Sequence, residues 1–435
     1  MAKLNLVDPY EGNILTRNLG PILSREQALA KLRLVPAVPG DMSGVPKHVR
    51  LHMLMVVRDL HLPSLEGARV LETTDLVIRQ GYRYRDPAAA ATWAVVSNDP
   101  LAALRPRAPA MAAVVVGHSG VGKTVAIHKA FDCYGCQVIV HETFPRLKGS
   151  HYQMVHLSVD VPASGRAVDL AANLMIAWDD AVARVLPAEV RRFAASLAKE
   201  RRDGAKMMDE WRQVAVAHFL GGLHLDEVQN FFKIPSLERR RKSTAGKGGK
   251  SDANEMALEL SIIEDQALKN VLTLANTWQI PLIASGTPDG VGALTKRLSN
   301  VQRFVTSGYH KMSEFLSATD PFFIAFMDTL GQFQYVVKRL PIDDELRDLV
   351  FTLTAGIQRL IVALWIAAHR VAFERKEDSL RLEDFKKAAA TYLAPVAAAV
   401  AALLSKDPLR MRAYEDLMPR DDGYWVTFWT GVSSL

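Results

Sequence analysis

Eight consecutive residues, Gly117, His118, Ser119, Gly120, Val121, Gly122, Lys123 and Thr124, set three glycines, an amine and a hydroxyl at the spacing of a polyphosphate cradle. Where glycine removes the Cβ, backbone N–H groups can close on phosphate oxygens. A helix starting after Gly122 then turns its unpaired N–H groups and its positive dipole end toward the same anion. Lys123 is placed to reach the β- and γ-phosphates and Thr124 to ligate Mg²⁺, with the loop through Val125 lining the nucleotide. A second cluster, "LHLDEVQN", ends an apolar run in two adjacent carboxylates. Asp226 suits holding Mg²⁺, and Glu227 suits orienting or deprotonating an attacking water. A third, "IPLIASGTP" at 280–288, ends in Ser285 and Thr287. Their hydroxyls either reach a γ-phosphate or serve a plain turn.

These groups meet only if strands deliver them to one edge of a sheet. "MAAVVV", "QVIVHE" at 137–142 and "QMVHLSVD" at 153–160 read as strands, and helical patterns follow at 167–186, 188–201 and 206–219. Strand alternating with helix predicts an α/β fold, a parallel sheet covered on both faces. In such folds ligands sit at the carboxyl ends of the strands, where Asp226 and Glu227 fall. Residues 1–81 are proline-rich with short amphipathic stretches, which predicts an irregular, partly helical N-terminal extension. Residues 82–310 form the expected nucleotide-binding domain, and Ala/Leu-rich patterns predict a helical lid over 311–405. The aromatic tail at 406–435 either docks a partner or packs back on its own domain.

With 435 residues, 49% of them hydrophobic, the chain can bury a large core. A net charge of +6 from 53 basic and 47 acidic residues permits a polyanionic partner, so where the charge clusters matters more than its sum. It clusters in "LERRRKSTAGKGGKSDANE". There Arg239, Arg240, Arg241 and Lys242, with Lys247 and Lys250, either neutralise nucleic-acid phosphates or form a solvated insertion. The single C-x-x-C, Cys133 and Cys136, lacks the second pair that a structural zinc needs. Sparse cysteine use suits a reducing cytoplasm. The apolar segment near 356–373 is broken by Arg359, His369 and Arg370, and the next contains Pro395, so both read as packed helices and not as membrane spans.

Taken in order, "GHSGVGKT", "LHLDEVQN" and "IPLIASGTP", with a helical region behind them, resemble an AAA+ ATPase. "IRQGYRYRDP", "CQVIVHETF", "YQMVHLSVDVP", the D-E-x-Q form of the acidic motif and the segment from Asn276 into G-T-P are similar to the TniB/TnsC group, ATPase regulators of DNA transposition. The resemblance covers roughly residues 75 to 310. It implies homo-oligomeric rings or helical filaments with ATP and Mg²⁺ at subunit interfaces, double-stranded DNA inside the assembly, and contacts to a transposase and a target-selecting protein. It further implies slow hydrolysis that drives disassembly. By position it makes Ser285 or Thr287 the sensor hydroxyl, Arg303 the arginine acting in trans (Arg297 is the other candidate) and Arg359 a lid arginine. It sets Arg146 and Lys148 where DNA-facing residues fall. Two other classes share these motifs: a signalling NTPase with no DNA role, and a replicative helicase loader.

Overall fold

The computed structural model describes residues 8–97, 109, 111–187, 191–200, 202–233, 261–262, 265–288, 290–291, 305–411 and 414. The strands are β1 (Ala112–Val116), β2 (Val138–His141), β3 (His151–Met154), β4 (His156–Asp160), β5 (Gly222–Asp226), β6 (Phe232–Lys233), β7 (Ser261–Ile262), β8 (Leu282–Gly286) and β9 (Gly308–Lys311). The principal helices are α1 (Leu65–Tyr84), α2 (Lys123–Asp132), α3 (Ala167–Val185), α4 (Gly204–Ala217), α5 (Asp265–Asn276), α6 (Pro321–Leu330), α7 (Asp344–Thr354), α8 (Gln358–Phe373), α9 (Leu382–Thr391) and α10 (Ala397–Ser405).

Five strands form one sheet in the order β4-β5-β8-β1-β9, and every neighbouring pair is parallel. β1, β5 and β8 are buried along their whole length, as strands covered on both faces must be. Alternate residues serve opposite faces. Val114, Val116, Leu157, Leu225 and Leu282 meet α3, α4 and α5, where Trp178 and Trp211 pack edge to face. Val115 and Ile283 meet Ile78 and Tyr82 of α1 and Ile127 and Phe131 of α2 on the other face.

Two strands depart from the simple alternation. The 137–142 segment is extended, but β2 pairs antiparallel with β3 and stays outside the parallel sheet. The 153–160 segment is two strands broken at Val155, whose N–H turns to the Gln137 carbonyl at 2.8 Å. Register, which periodicity does not encode, decides both. In the described part of 188–201 only Ala194–Leu197 is helical.

Helices α6 to α9 close around Phe323, Phe333, Trp365 and Phe385. The Trp365 indole N–H donates to the Phe333 carbonyl at 3.0 Å, so its polar end is satisfied inside that core. Met42, Leu54, Val57 and Leu60 belong to the same core, so the region read as an N-terminal extension supplies part of the lid. After it α1 runs unbroken through residue 81 and covers the sheet. Among the described residues no single helix is long and apolar enough to cross a membrane.

Candidate active site

The loop leaving β1 is held where side chains do not fit. A Cβ on Gly117 would lie 2.3 Å from the Met312 carbonyl oxygen, and Gly120 and Gly122 take φ of +86° and +94°. Gly122 caps α2, whose first residue is Lys123. The Lys123 ammonium donates to two carbonyls of its own loop, Gly117 at 2.8 Å and His118 at 3.0 Å. Val121 buries its side chain beneath the loop, while Val125 is exposed on α2. His118 Nδ1 lies 3.0 Å from Glu314 Oε2. Partial burial raises the Glu314 carboxyl, but the hydrogen bond and charge of His118 outweigh it and leave the group below its ordinary range.

The carboxyl edge brings the other motifs to this loop. The Thr124 hydroxyl donates directly to Asp226 Oδ2. Asp226 Oδ1 accepts from Ser285 Oγ at 2.5 Å and from the Glu227 amide at 2.9 Å. Burial alone raises the Asp226 carboxyl; neighbouring His224 and these hydrogen bonds reverse that and set it below the usual carboxylate range. Glu227 takes the left-handed φ of +55°. Non-glycine residues pay about 1–2 kcal/mol for this conformation, and it clusters at functional sites. Partial desolvation, and then the Asp226 charge, raise its carboxyl. That is the direction a general base needs.

The two candidate sensor hydroxyls separate cleanly. Ser285 is fully buried and committed to Asp226 and His224. The Thr287 hydroxyl is buried without a hydrogen-bond partner among the described residues, while its amide donates to Gln229 Oε1 at 3.2 Å. Gln229 also donates to Glu227 Oε2. The glutamine of D-E-x-Q thus bridges the Glu227 carboxylate and the end of β8, a role that sequence reading left unassigned.

The start of the lid closes the loop from outside. The Arg359 amide donates to the Gly120 carbonyl at 3.2 Å, and the Phe315 amide to the Gly356 carbonyl at 3.1 Å. The Arg359 guanidinium is exposed and makes no ion pair among the described residues. Beside it lies a cavity of about 470 Å³, lined by Leu62, Pro63, Phe315, Phe326, Thr329 and Gln358. Its walls come from parts of the chain far apart in sequence, so no local motif announces it. Gln358 joins it to the loop, its Oε1 lying 3.4 Å from where a Gly122 Cβ would stand.

The remaining candidates lie apart. Arg146 and Lys148 are exposed between β2 and β3, and Arg146 donates from Nε to the Ala88 carbonyl at 3.0 Å. Arg239, Arg240, Arg241, Lys242, Lys247 and Lys250, and Arg297 and Arg303, lie outside the described residues, as does the tail from 415. Cys133 and Cys136 are both free thiols, and burial raises the Cys133 pKa.

A parallel sheet with a glycine loop after β1, a carboxylate pair after β5 and a helical lid defines the class: an AAA+ type P-loop NTPase fold. Residues 107–292, under half of the chain, match the family model for the AAA domain. Among solved structures the chain is similar to RuvB of Thermotoga maritima, a Holliday junction branch migration motor, at 13% identity and TM-score 0.34, over 69% of this chain and 64% of that one. The ORC2 protein of Aeropyrum pernix, solved in ADPNP-ADP complexes, is 12% identical at TM-score 0.36, over 69% and 66%. The ORC1 protein of the same organism, solved in complex with DNA, is 14% identical at TM-score 0.40, over 71% and 69%. The chain spans less than two thirds of the RuvB chain. No curated protein matches it.

Proposed function

We propose that this protein is a Mg²⁺-dependent ATPase that assembles on duplex DNA and regulates transposition, linking a target-selecting protein to the transposase. The observation that carries the enzymatic part is the hydrogen bond from Thr124 to Asp226, because it joins the two motifs that need one another. The donor set fits a magnesium–nucleotide: an anion cradle, a hydroxyl and a carboxylate side by side, and a buried Thr287 hydroxyl with no partner among the described residues.

Thr124 and Asp226 would hold Mg²⁺, which would neutralise charge on the phosphates when bound. Lys123 exchanges its loop carbonyls for phosphate oxygens. Glu227, steadied by Gln229, orients water and takes its proton. Thr287 contacts the γ-phosphate from the end of β8, and the apolar-walled cavity under the lid suits a nucleotide base. Arg359 supplies charge from the lid, and Arg303 of a neighbouring copy completes the site. Nucleotide at the interface stabilises the oligomer, and its hydrolysis releases it. Support for the DNA and transposition part comes from the resemblance to the TniB/TnsC group and from the basic balance, with pI ≈ 9.2.

Measuring ATP turnover and sedimentation with and without plasmid DNA, at low and high salt, tests both parts. The expected result is ATP-dependent co-sedimentation that weakens steeply with salt, because phosphate contacts release counterions. Turnover with no DNA response at either salt favours a signalling NTPase instead.

A further inference from the structure

Behind the candidate site a ring of side chains leaves the phosphate-loop helix and returns to it. Thr124 and His128 are four residues apart on α2, hence on one face. Thr124 bonds Asp226, and Asp226 bonds Ser285. Ser285 Oγ lies 2.7 Å from His224 Nε2, and His224 Nδ1 lies 2.8 Å from Ser158 Oγ. Ser158 Oγ lies 2.9 Å from His128 Nε2, which closes the ring on α2. Sheet register makes this possible. Ser158 on β4 stands beside His224 on β5, and His224 and Asp226 alternate onto one face.

Each proton in the ring has one place. An ionised carboxylate only accepts, so Ser285 gives its hydroxyl proton to Asp226. The Ser285 oxygen is then left to accept, which fixes His224 as the Nε2–H tautomer. Its bare Nδ1 accepts the Ser158 proton, and the Ser158 oxygen accepts from His128. His224 and Ser285 are both fully buried, so water does not replace a lost link.

We infer that His224 is a positioning residue for the metal-holding carboxylate: acting through Ser285, it fixes the orientation of Asp226 before any ion arrives, with Ser158 and His128 as outer links. This deepens the ATPase reading and rests on it. A serine released from His224 can turn its proton elsewhere and leave one Asp226 oxygen free to rotate away from Thr124. Partners that orient metal ligands in this way are worth about 10–100-fold in metal affinity.

The test is Mn²⁺ affinity of the ADP-bound protein, read by electron paramagnetic resonance, beside ADP affinity in EDTA. Expected for His224→Leu is a 10–100-fold loss of Mn²⁺ affinity with ADP affinity unchanged. His224→Gln, which keeps an N–H for Ser285, recovers most of it. His128→Ala, at an exposed position, gives a smaller loss in the same direction and carries the test if His224→Leu does not fold. Mn²⁺ affinity unchanged in His224→Leu, or in His128→Ala where that variant stands in, overturns the inference and leaves the ATPase reading intact. Equal losses in the leucine and glutamine variants also overturn it, since a packing role predicts them. A wild-type protein that binds ADP but no Mn²⁺ removes the reading and the inference together.

Discussion

The orphan hydroxyl of Thr287 and the committed hydroxyl of Ser285 differ in what their loss does. Removing Ser285 leaves Asp226 and His224 short of a partner inside the protein, so the damage is structural as well as chemical. Thr287→Val removes a hydroxyl that bonds to nothing among the described residues. It is expected to leave folding and nucleotide affinity near wild type and to slow single-turnover hydrolysis, by about 10–100-fold if the lost contact forms only with the γ-phosphate in flight. Glu227→Gln belongs beside it. Nucleotide binding persists, hydrolysis stalls, and ATP-bound assemblies accumulate on DNA. Normal hydrolysis in Glu227→Gln removes the general-base assignment, and normal single turnover in Thr287→Val removes the sensor assignment.

At the scale of elements, the β1–loop–α2 unit depends on close backbone approach, and two glycines separate that from conformational freedom. Gly117→Ala pushes a methyl to 2.3 Å from the Met312 carbonyl and 2.8 Å from Val121, neither of which can move freely. Gly135 has φ +76° and nothing within 4 Å of its would-be Cβ, so Gly135→Ala meets only the left-handed penalty of about 1 kcal/mol. Urea midpoints and nucleotide affinity should therefore part company: Gly117→Ala loses both, and Gly135→Ala loses a little stability and no affinity. This unit was legible from the sequence because its chemistry is consecutive, as were Asp226 and Glu227 at the end of an apolar run. His224 stands inside "LHLDEVQN" with no signal of its own in the sequence, since its partners Ser158 and Ser285 are delivered by strand register and not by spacing. The cavity under the lid escaped for the same reason, as did the antiparallel turn of β2 onto β3. The 20-residue helix α1 is obscured by its six charged residues, one of which, Arg79, is buried and paired with Asp75 next to the Val70, Val77 and Ile78 that meet the sheet.

At the scale of the whole molecule, the N-terminal segment joins the lid core to the core on one face of the sheet. Leu54 and Val57 enter the lid core, and the buried Arg50 donates to the Tyr335 carbonyl at 2.9 Å and pairs with Asp378, before α1 crosses to the sheet. Each half also buries histidine that must stay neutral, and in the sheet half burial depresses His156 and His218 as well as His224. His224 lies on β5 within the sheet and His369 inside the lid on α8, both fully buried and both pushed by burial from 6.5 down to about 4. The sign follows from which state takes up protons first. Above pH 6.5 both states hold these rings neutral and the stabilising difference is complete. Below it the unfolded chain protonates while the folded one resists, so stability falls until the folded pKa near 4 is passed. Each ring contributes a slope of up to about 1.4 kcal/mol per pH unit in that window. His369 has an Nε2 with no partner among the described residues and an Nδ1 bonded to the Trp365 carbonyl at 2.8 Å, so His369→Leu removes the titration at the loss of one local hydrogen bond. Urea midpoints of the wild type should fall from pH 6.5 to 4, and those of His369→Leu should fall less steeply over the same range. Parallel pH profiles for the two proteins would show that the lid core does not force this imidazole to stay neutral.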